Sequence, residues 1–339
     1  MNDITLLAID IAKNVFQLHG VTPSGKGIIM KQLTRGKLSE YIATLAPCTI
    51  VMEACGGANY WARHFQSMGH EVKLISPQFV KPFVKSNKND RNDARAIAEA
   101  ASRPDMRFVS IKSIEAQDIQ SLHRIREGYV NQRTRLMNQI RGLLAEYGLI
   151  VKLGEASLRR ALPEFIEDAD NDLTAISRAF CQEIYDDIVA LSEKVDSYEK
   201  KINAIFRSNP ACQRLAKIPG IGPITATAIV ADLSDPHHFK NGRHYAAYLG
   251  LVPRQHSSGG KNRLLGISKR GDSYLRKLLI HGARSVVKTL GNKHDKQSCW
   301  LKDLHVRRGF NRTSVALANK NARVIWALLA NEQEYQAVV

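Results

Sequence analysis

Two short apolar runs, each closed by a carboxylate, constrain this chain more than any other feature. Leu6-Leu7-Ala8-Ile9 ends at Asp10, and Thr49-Ile50-Val51-Met52 ends at Glu53. Short apolar runs bounded by turn signals read as buried strands. Val15–Val21 partly alternates apolar and polar residues, Gly27–Leu33 can return as a third strand, and Pro23-Ser24-Gly25 turns between them. Lys37–Leu45 and Tyr60–Met68 have helical spacing, and Gly56-Gly57 breaks the chain before the second. Glu71–Ile75 reads as another strand, and Pro77 opens a helical stretch with Phe79, Val80 and Phe83. The polar stretch Lys85–Asn92 then leads into a helix over Asp93–Ala101. Hairpin-like strands followed by alternating helices and strands predict an α/β layer. Its carboxyl edge brings Asp10 and Glu53 close together.

Asp90 and Asp93 stand three residues apart where that helix begins, so they share one helix face. Two strand-end acids and such a pair can converge on a divalent ion. Mg²⁺ takes oxygen ligands in near-octahedral geometry, and paired ions can assist displacement at a phosphate ester. Each acid alone reads rather as a strand-end turn residue or a helix cap than as a ligand. The four together, in this order, favour metal.

The middle of the chain is helical. Ile119, Leu122, Ile125 and Tyr129, then Leu136, Ile140, Leu143 and Tyr147, recur at helical spacing. Cys181, Ile184, Ile188, Leu191, Val195, Tyr198, Ile202 and Ile205 follow in steps of 3, 4, 3, 4, 3, 4 and 3, a heptad seam. That seam fits either an internal hairpin against Ile119–Tyr147 or a coiled coil between subunits.

Lys and Arg outnumber Asp and Glu by 49 to 32, a net charge of +17. Residues 206–325 hold 22 of those cations and only 5 acids, so this segment carries the whole surplus. A one-sided excess of this size points to a polyanionic partner. Five scattered cysteines without C-x-x-C spacing argue for a reducing compartment and against a thiolate zinc site. Cys55 lies two residues past Glu53, as core packing or as lining of the acid site. Met1-Asn2-Asp3 opens no signal peptide, and no apolar run approaches membrane-spanning length. A cytoplasmic protein with no membrane partner is expected. No phosphate-binding glycine loop follows the first strand, which argues against a kinase or ATPase.

The basic segment opens with Leu215–Val230, which reads as helix, Gly-x-Gly hairpin and helix. Gly220 and Gly222 either let backbone N–H groups approach a phosphate or make a tight turn between packed helices. Next, Leu249–Arg263 reads as a loop rich in Pro, Ser and Gly that runs on through Ile267–Asp272 into a helix over Ser273–Val287. Its cations, Arg254, Lys261, Arg263, Lys269 and Arg270, are candidate nucleic-acid contacts. A serine in such a loop can attack a phosphodiester while cations stabilise the developing charge. The residues alone do not separate Ser257 from Ser258. His256 is a candidate base or an ordinary loop residue.

Taken together, these motifs resemble one family over nearly the whole chain. Ala8-Ile9-Asp10-Ile11-Ala12-Lys13, Met52-Glu53-Ala54, Asp90-Arg91-Asn92-Asp93-Ala94-Arg95, Ile218-Pro219-Gly220-Ile221-Gly222 and Gly250-Leu251-Val252-Pro253-Arg254 through Ser258-Gly259 look like the DEDD transposases of the one-ten insertion-sequence family, relatives of the Piv-type DNA invertases. The resemblance implies a RuvC-like, RNase H-type α/β domain over 1–112, a helical coiled-coil region over 113–208, and a mostly α transposase domain with a helix–hairpin–helix element over 209–339. It also implies that Asp10, Glu53, Asp90 and Asp93 hold Mg²⁺, with Mn²⁺ as the alternative ion. Ser258 would be the catalytic nucleophile and form a covalent phosphoserine intermediate with DNA. The implied partners are donor and target DNA, a bridge RNA encoded at the element's own end, and further copies of the chain in a tetramer built from dimers. Inversion of a resident segment, as in the Piv-type relatives, and simple junction cleavage of RuvC type are the alternatives.

Overall fold

The computed structural model describes residues 4–84 and 89–336. Met1–Asp3 and residues 337–339 lie outside them, as does the first part, Lys85–Lys88, of the polar stretch expected to precede a helix. The chain forms two compact units, Met1–Ser113 and Ile114–Val339.

The first unit is mixed α/β. Its strands are β1 (Leu6–Ile11), β2 (Val15–Val21), β3 (Gly27–Thr34), β4 (Thr49–Glu53), β5 (Glu71–Ile75) and β6 (Phe108–Val109). They form one sheet in the order β3-β2-β1-β4-β5-β6. β1, β4 and β5 run parallel, while β2, β3 and β6 join antiparallel. The helices are α1 (Arg35–Ala43), α2 (Ala58–Ser67), the short α3 (Pro77–Val80) and α4 (Asp90–Ala101).

Strand alternation sorts the side chains onto two faces. Leu7, Ile9, Ile50, Met52 and Leu74 pack with Phe16, Leu38, Trp61 and Phe65. Ala8, Val51 and Ile75 pack with Val80, Ile97 and Ala100 on the other face. Each fully buried Leu, Ile or Phe contributes about 1.5–3 kcal/mol. The second face is built from small residues: Ala8 on the strand meets Ala96, Ala98 and Ala100 from the helix. Small side chains let α4 lie close over β1. Asp10 and Glu53 share the parity of Ala8 and Val51, so they project toward that same face, at the carboxyl ends of two strands paired Ile9↔Met52.

The second unit is mostly helical. Its helices are α5 (Ile114–Ala145), α6 (Glu155–Glu167), α7 (Ala175–Ser208), α8 (Pro210–Ala216), α9 (Pro223–Asp232), α10 (Gly242–Tyr248), α11 (Ser273–Lys288), α12 (Lys296–Arg308) and α13 (Phe310–Ala330). Two short strands, β7 (Pro253–Gln255) and β8 (Leu264–Ile267), make a separate antiparallel pair. The heptad seam falls on α7, and within this single chain Cys181, Ile188, Leu191, Val195 and Ile202 are already buried. Cys181 and Ile188 share a cluster with Ile140 and Leu144 of α5 and Leu158 and Leu162 of α6. Arg126 pairs with Glu199, and Arg133 reaches Glu155 at 2.7 Å. At those positions the internal hairpin supplies the packing that the spacing left open. Among the described residues no helix is long and apolar enough to cross a membrane.

Three elements differ from the sequence expectation. α4 starts at Asp90 rather than Asp93, because the Asn89 side chain caps it and accepts a hydrogen bond from the Asn92 N–H at 2.8 Å. β6 was not expected, since two residues carry no periodicity. The serine segment is a β-hairpin rather than an irregular loop.

The turn between α8 and α9 also has a definite cause. Gly220 has φ +88°, and a Cβ on Gly282 of α11 would stand 1.9 Å from its carbonyl oxygen. Backbone rests on backbone there, so neither position tolerates a side chain. Gly282→Ala is expected to cost about 1–3 kcal/mol by overpacking, lowering the melting temperature by roughly 2–4 °C per kcal/mol. An unchanged thermal melt would show that the two segments do not touch.

Candidate functional site

The first unit gathers three of the four acids. Carboxylate oxygens of Asp10, Asp90 and Asp93 all lie within 4.8 Å of one another. Asp10 comes from the end of β1; Asp90 and Asp93 come from the first turn of α4, one helical step apart. α4 packs across β1 and β2, which points its first turn at the strand end. The α4 N-terminus favours the two aspartates, by about 0.3–1 kcal/mol each at an exposed site. The three charges still repel one another. A like pair near 4 Å costs about 1 kcal/mol in water and about 4 at an effective dielectric near 20. A divalent cation relieves that repulsion, and an all-carboxylate donor set suits a hard ion such as Mg²⁺. The residues present therefore fit the ion that the sequence pointed to.

Glu53 lies one strand over on the same face but outside this three-residue group. Cys55 sits between the two strand ends. Its thiol is pushed up by burial and further by the Glu53 and Asp10 carboxylates. It is thus a neutral thiol beside both acids, with its Sγ 4.0 Å from the Ile11 carbonyl oxygen.

The second unit presents the serine. Ser258-Gly259-Gly260-Lys261 is the tip of the β7–β8 hairpin, closed by a hydrogen bond from the Lys261 N–H to the Ser258 carbonyl at 3.0 Å. Gly259 and Gly260 both have positive φ, +54° and +73°, the pairing that a two-residue hairpin turn requires. The two serines differ. Ser257 Oγ accepts from Gln255 Nε2 at 2.9 Å and from the Arg263 N–H at 3.3 Å. It is a structural acceptor inside the hairpin. The Ser258 hydroxyl is exposed and has no side-chain hydrogen bond among the described residues. Sequence reasoning missed the hairpin, although a Gly-Gly pair between two short runs is a hairpin signal.

The base of the hairpin is held by backbone contacts. Ser268 N–H donates to the Val252 carbonyl at 2.7 Å, and Lys269 N–H donates to the Gly250 carbonyl at 3.2 Å. Asp272 then caps α11, accepting from the Tyr274 and Leu275 N–H groups at 2.7 and 3.0 Å. Arg254, Lys261, Arg263, Lys269 and Arg270 are all exposed. Gly222 is exposed and open at the start of α9, whereas Gly220 is occupied by its contact with Gly282.

Comparison with known proteins fits this arrangement. Residues 7–149 match the transposase family model of the DEDD type for IS110. Residues 212–298 match that of the transposase IS116/IS110/IS902 family. The transposase for insertion sequence element IS1111A of Coxiella burnetii is 50% identical, over 99% of this chain and 92% of its own length. The chain belongs to the IS110 family of transposases. The family acts on DNA and breaks and rejoins it, and its DEDD members normally use a divalent metal. Two further relatives widen the picture. The transposase for insertion sequence element IS1328 of Yersinia enterocolitica is 39% identical over 97% of each chain. The pilin gene-inverting protein of Moraxella lacunata is 25% identical over 75% of this transposase and 74% of its own length.

Proposed function

We propose that this IS110-family transposase is an RNA-guided DNA recombinase in which Ser258 is the nucleophile and the acids Asp10, Glu53, Asp90 and Asp93 form its metal centre. The observation that carries the reading is the meeting of Asp10, Asp90 and Asp93 at one point, from segments far apart in sequence. The first unit is then a RuvC-like, RNase H-type domain, and Gly220–Gly222 the turn of a helix–hairpin–helix element. Glu53 completes the set by a change of its long side chain. Mg²⁺ held there would stabilise charge on the phosphate oxygens and on the attacking and leaving oxygens.

The chain's own residues do the rest. Ser258 Oγ attacks a DNA phosphodiester and gives up its proton. One P–O bond forms to the serine and one breaks to the 3′ oxygen, which leaves as a hydroxyl. The Arg254, Lys261 and Arg263 cations that surround the serine in sequence stabilise the phosphate. Attack by a 3′-hydroxyl from another strand reverses the step and restores the serine. Bond number is conserved, so no nucleotide triphosphate is consumed. Sequence choice rests with a bridge RNA that pairs with donor and target DNA, while the protein reads backbone and shape. The working form is a tetramer built from dimers. Inversion of a resident segment is a second reading, favoured by the Moraxella relative.

The test is a trapping assay. The transposase, its co-purified RNA, labelled element-junction DNA and Mg²⁺ are combined and run on a denaturing gel. A labelled protein–DNA adduct is expected. Cleaved DNA with no adduct would mean that the acids work without the serine, as in a junction nuclease.

A further inference from the structure

The second unit contains a groove of about 910 Å³ that neither the acids nor the serine uses. Its cations are Arg243 from α10 and Arg312, Lys320 and Arg323 from α13, and among the described residues no carboxylate side chain lines it. Its aromatic groups are Trp300 of α12 and Trp326 of α13. Trp326 is fixed, since its indole N–H donates to the Pro236 carbonyl at 2.8 Å. Trp300 is 36% exposed, and Lys320 Nζ stands over one face of its ring, 4.9 Å from the centre. The floor is apolar, supplied by Leu251, Val315 and Ala316. At one end the wall is Pro253 and Ile267, the residues that pair at the base of the serine hairpin.

This combination does not match a duplex. Base-paired DNA hides its π faces in the stack and offers mainly phosphates and base edges. Cations alone would serve those phosphates. An exposed indole above an apolar floor, ringed by cations, rewards a base that has left the stack. The hairpin relates the groove to the reaction. Pro253 is five residues from Ser258, a reach of roughly 16 Å at ~3.3 Å per residue.

We propose that this groove binds an unpaired segment of the DNA strand, a few nucleotides from the phosphate that Ser258 attacks, with a base stacked on Trp300. The placement beside the cut rests on the reading of Ser258 as nucleophile; the preference for an unpaired strand does not. Holding a base here would keep the strand from re-annealing while it is exchanged.

The experiment measures anisotropy with the full chain in EDTA, so the acid cluster is silent. The probes are labelled oligothymidylate, the same strand paired with oligoadenylate, and oligouridylate. Trp300→Ala is expected to weaken the single DNA strand by about tenfold or more, and the duplex by less than about twofold. Trp300→Phe should recover most of the loss, and near-parent binding of the duplex by Trp300→Ala separates lost stacking from a folding defect. Arg312→Gln should lower the salt dependence of single-strand binding by about one phosphate contact. Equal loss on duplex and single strand, or loss on oligouridylate alone, overturns the proposal. So does unchanged binding of oligothymidylate. If the single-strand preference appears but the trapping assay gives no serine adduct, the groove stands and the serine reading falls.

Discussion

Ser258→Ala is expected to remove the covalent protein–DNA adduct altogether and to lower strand exchange by roughly 10⁴-fold or more, the scale on which a nucleophile's loss is felt. The change is small. It deletes one exposed hydroxyl that has no side-chain hydrogen bond among the described residues, at a turn whose shape is set by Gly259 and Gly260. Stability and DNA binding should therefore stay within about 0.5 kcal/mol of the parent. Ser257→Ala is the informative contrast. It removes the acceptor of the Gln255 and Arg263 donors, so it should loosen the hairpin and slow the reaction while leaving an adduct. The gel assay reads both. An adduct that survives Ser258→Ala and vanishes with Ser257→Ala would transfer the role to Ser257.

Asp10→Asn should lower strand breakage by about a hundredfold or more, comparable to losing one strong electrostatic contact to the reacting phosphate. Its effect on stability should have the opposite sign. Without metal, Asp10 stands within 4.8 Å of two other carboxylates, so replacing its charge relieves repulsion and raises the melting temperature slightly. With metal the order reverses. A ligand at a hundred times its dissociation constant stabilises the native state by about 2.7 kcal/mol, and the variant should lose most of that increment. A Mg²⁺-dependent melting shift as large in Asp10→Asn as in the parent would remove Asp10 from the centre.

The strands were legible where one face is buried and turn residues close the run. β2, β4 and β5 fall where alternation, apolar runs and the Gly/Pro positions put them. The acid pair on α4 was legible because i, i+3 spacing fixes a face whatever the rest of the fold does. What was not legible lacked a pattern to carry it. β7 is exposed at every residue, so it shows no hydrophobic period, and its hairpin was read as a loop. The heptad on α7 reports that a face is covered but not by what; only the fold shows α5 and α6 beside Cys181 and Ile188. Strand register put Glu53 next to Asp10, yet register does not set the side-chain torsions that leave it outside the group. The groove at Trp300 joins helices α10, α12 and α13, and no local motif announces a surface assembled from three segments.

The hairpin that carries Ser258 has a chemical consequence for the protein at rest. Serine hydrolases keep a histidine against their nucleophile and so react with any small phosphorylating agent that reaches it. Here the hydroxyl stands at an exposed tip with no hydrogen-bonded base among the described residues. In that setting it is an ordinary alcohol. Organophosphate reagents that label serine hydrolases should pass this chain by. On the reading of Ser258 as nucleophile, its reactivity belongs to the assembled complex, and a stray copy carries no armed nucleophile through the cell.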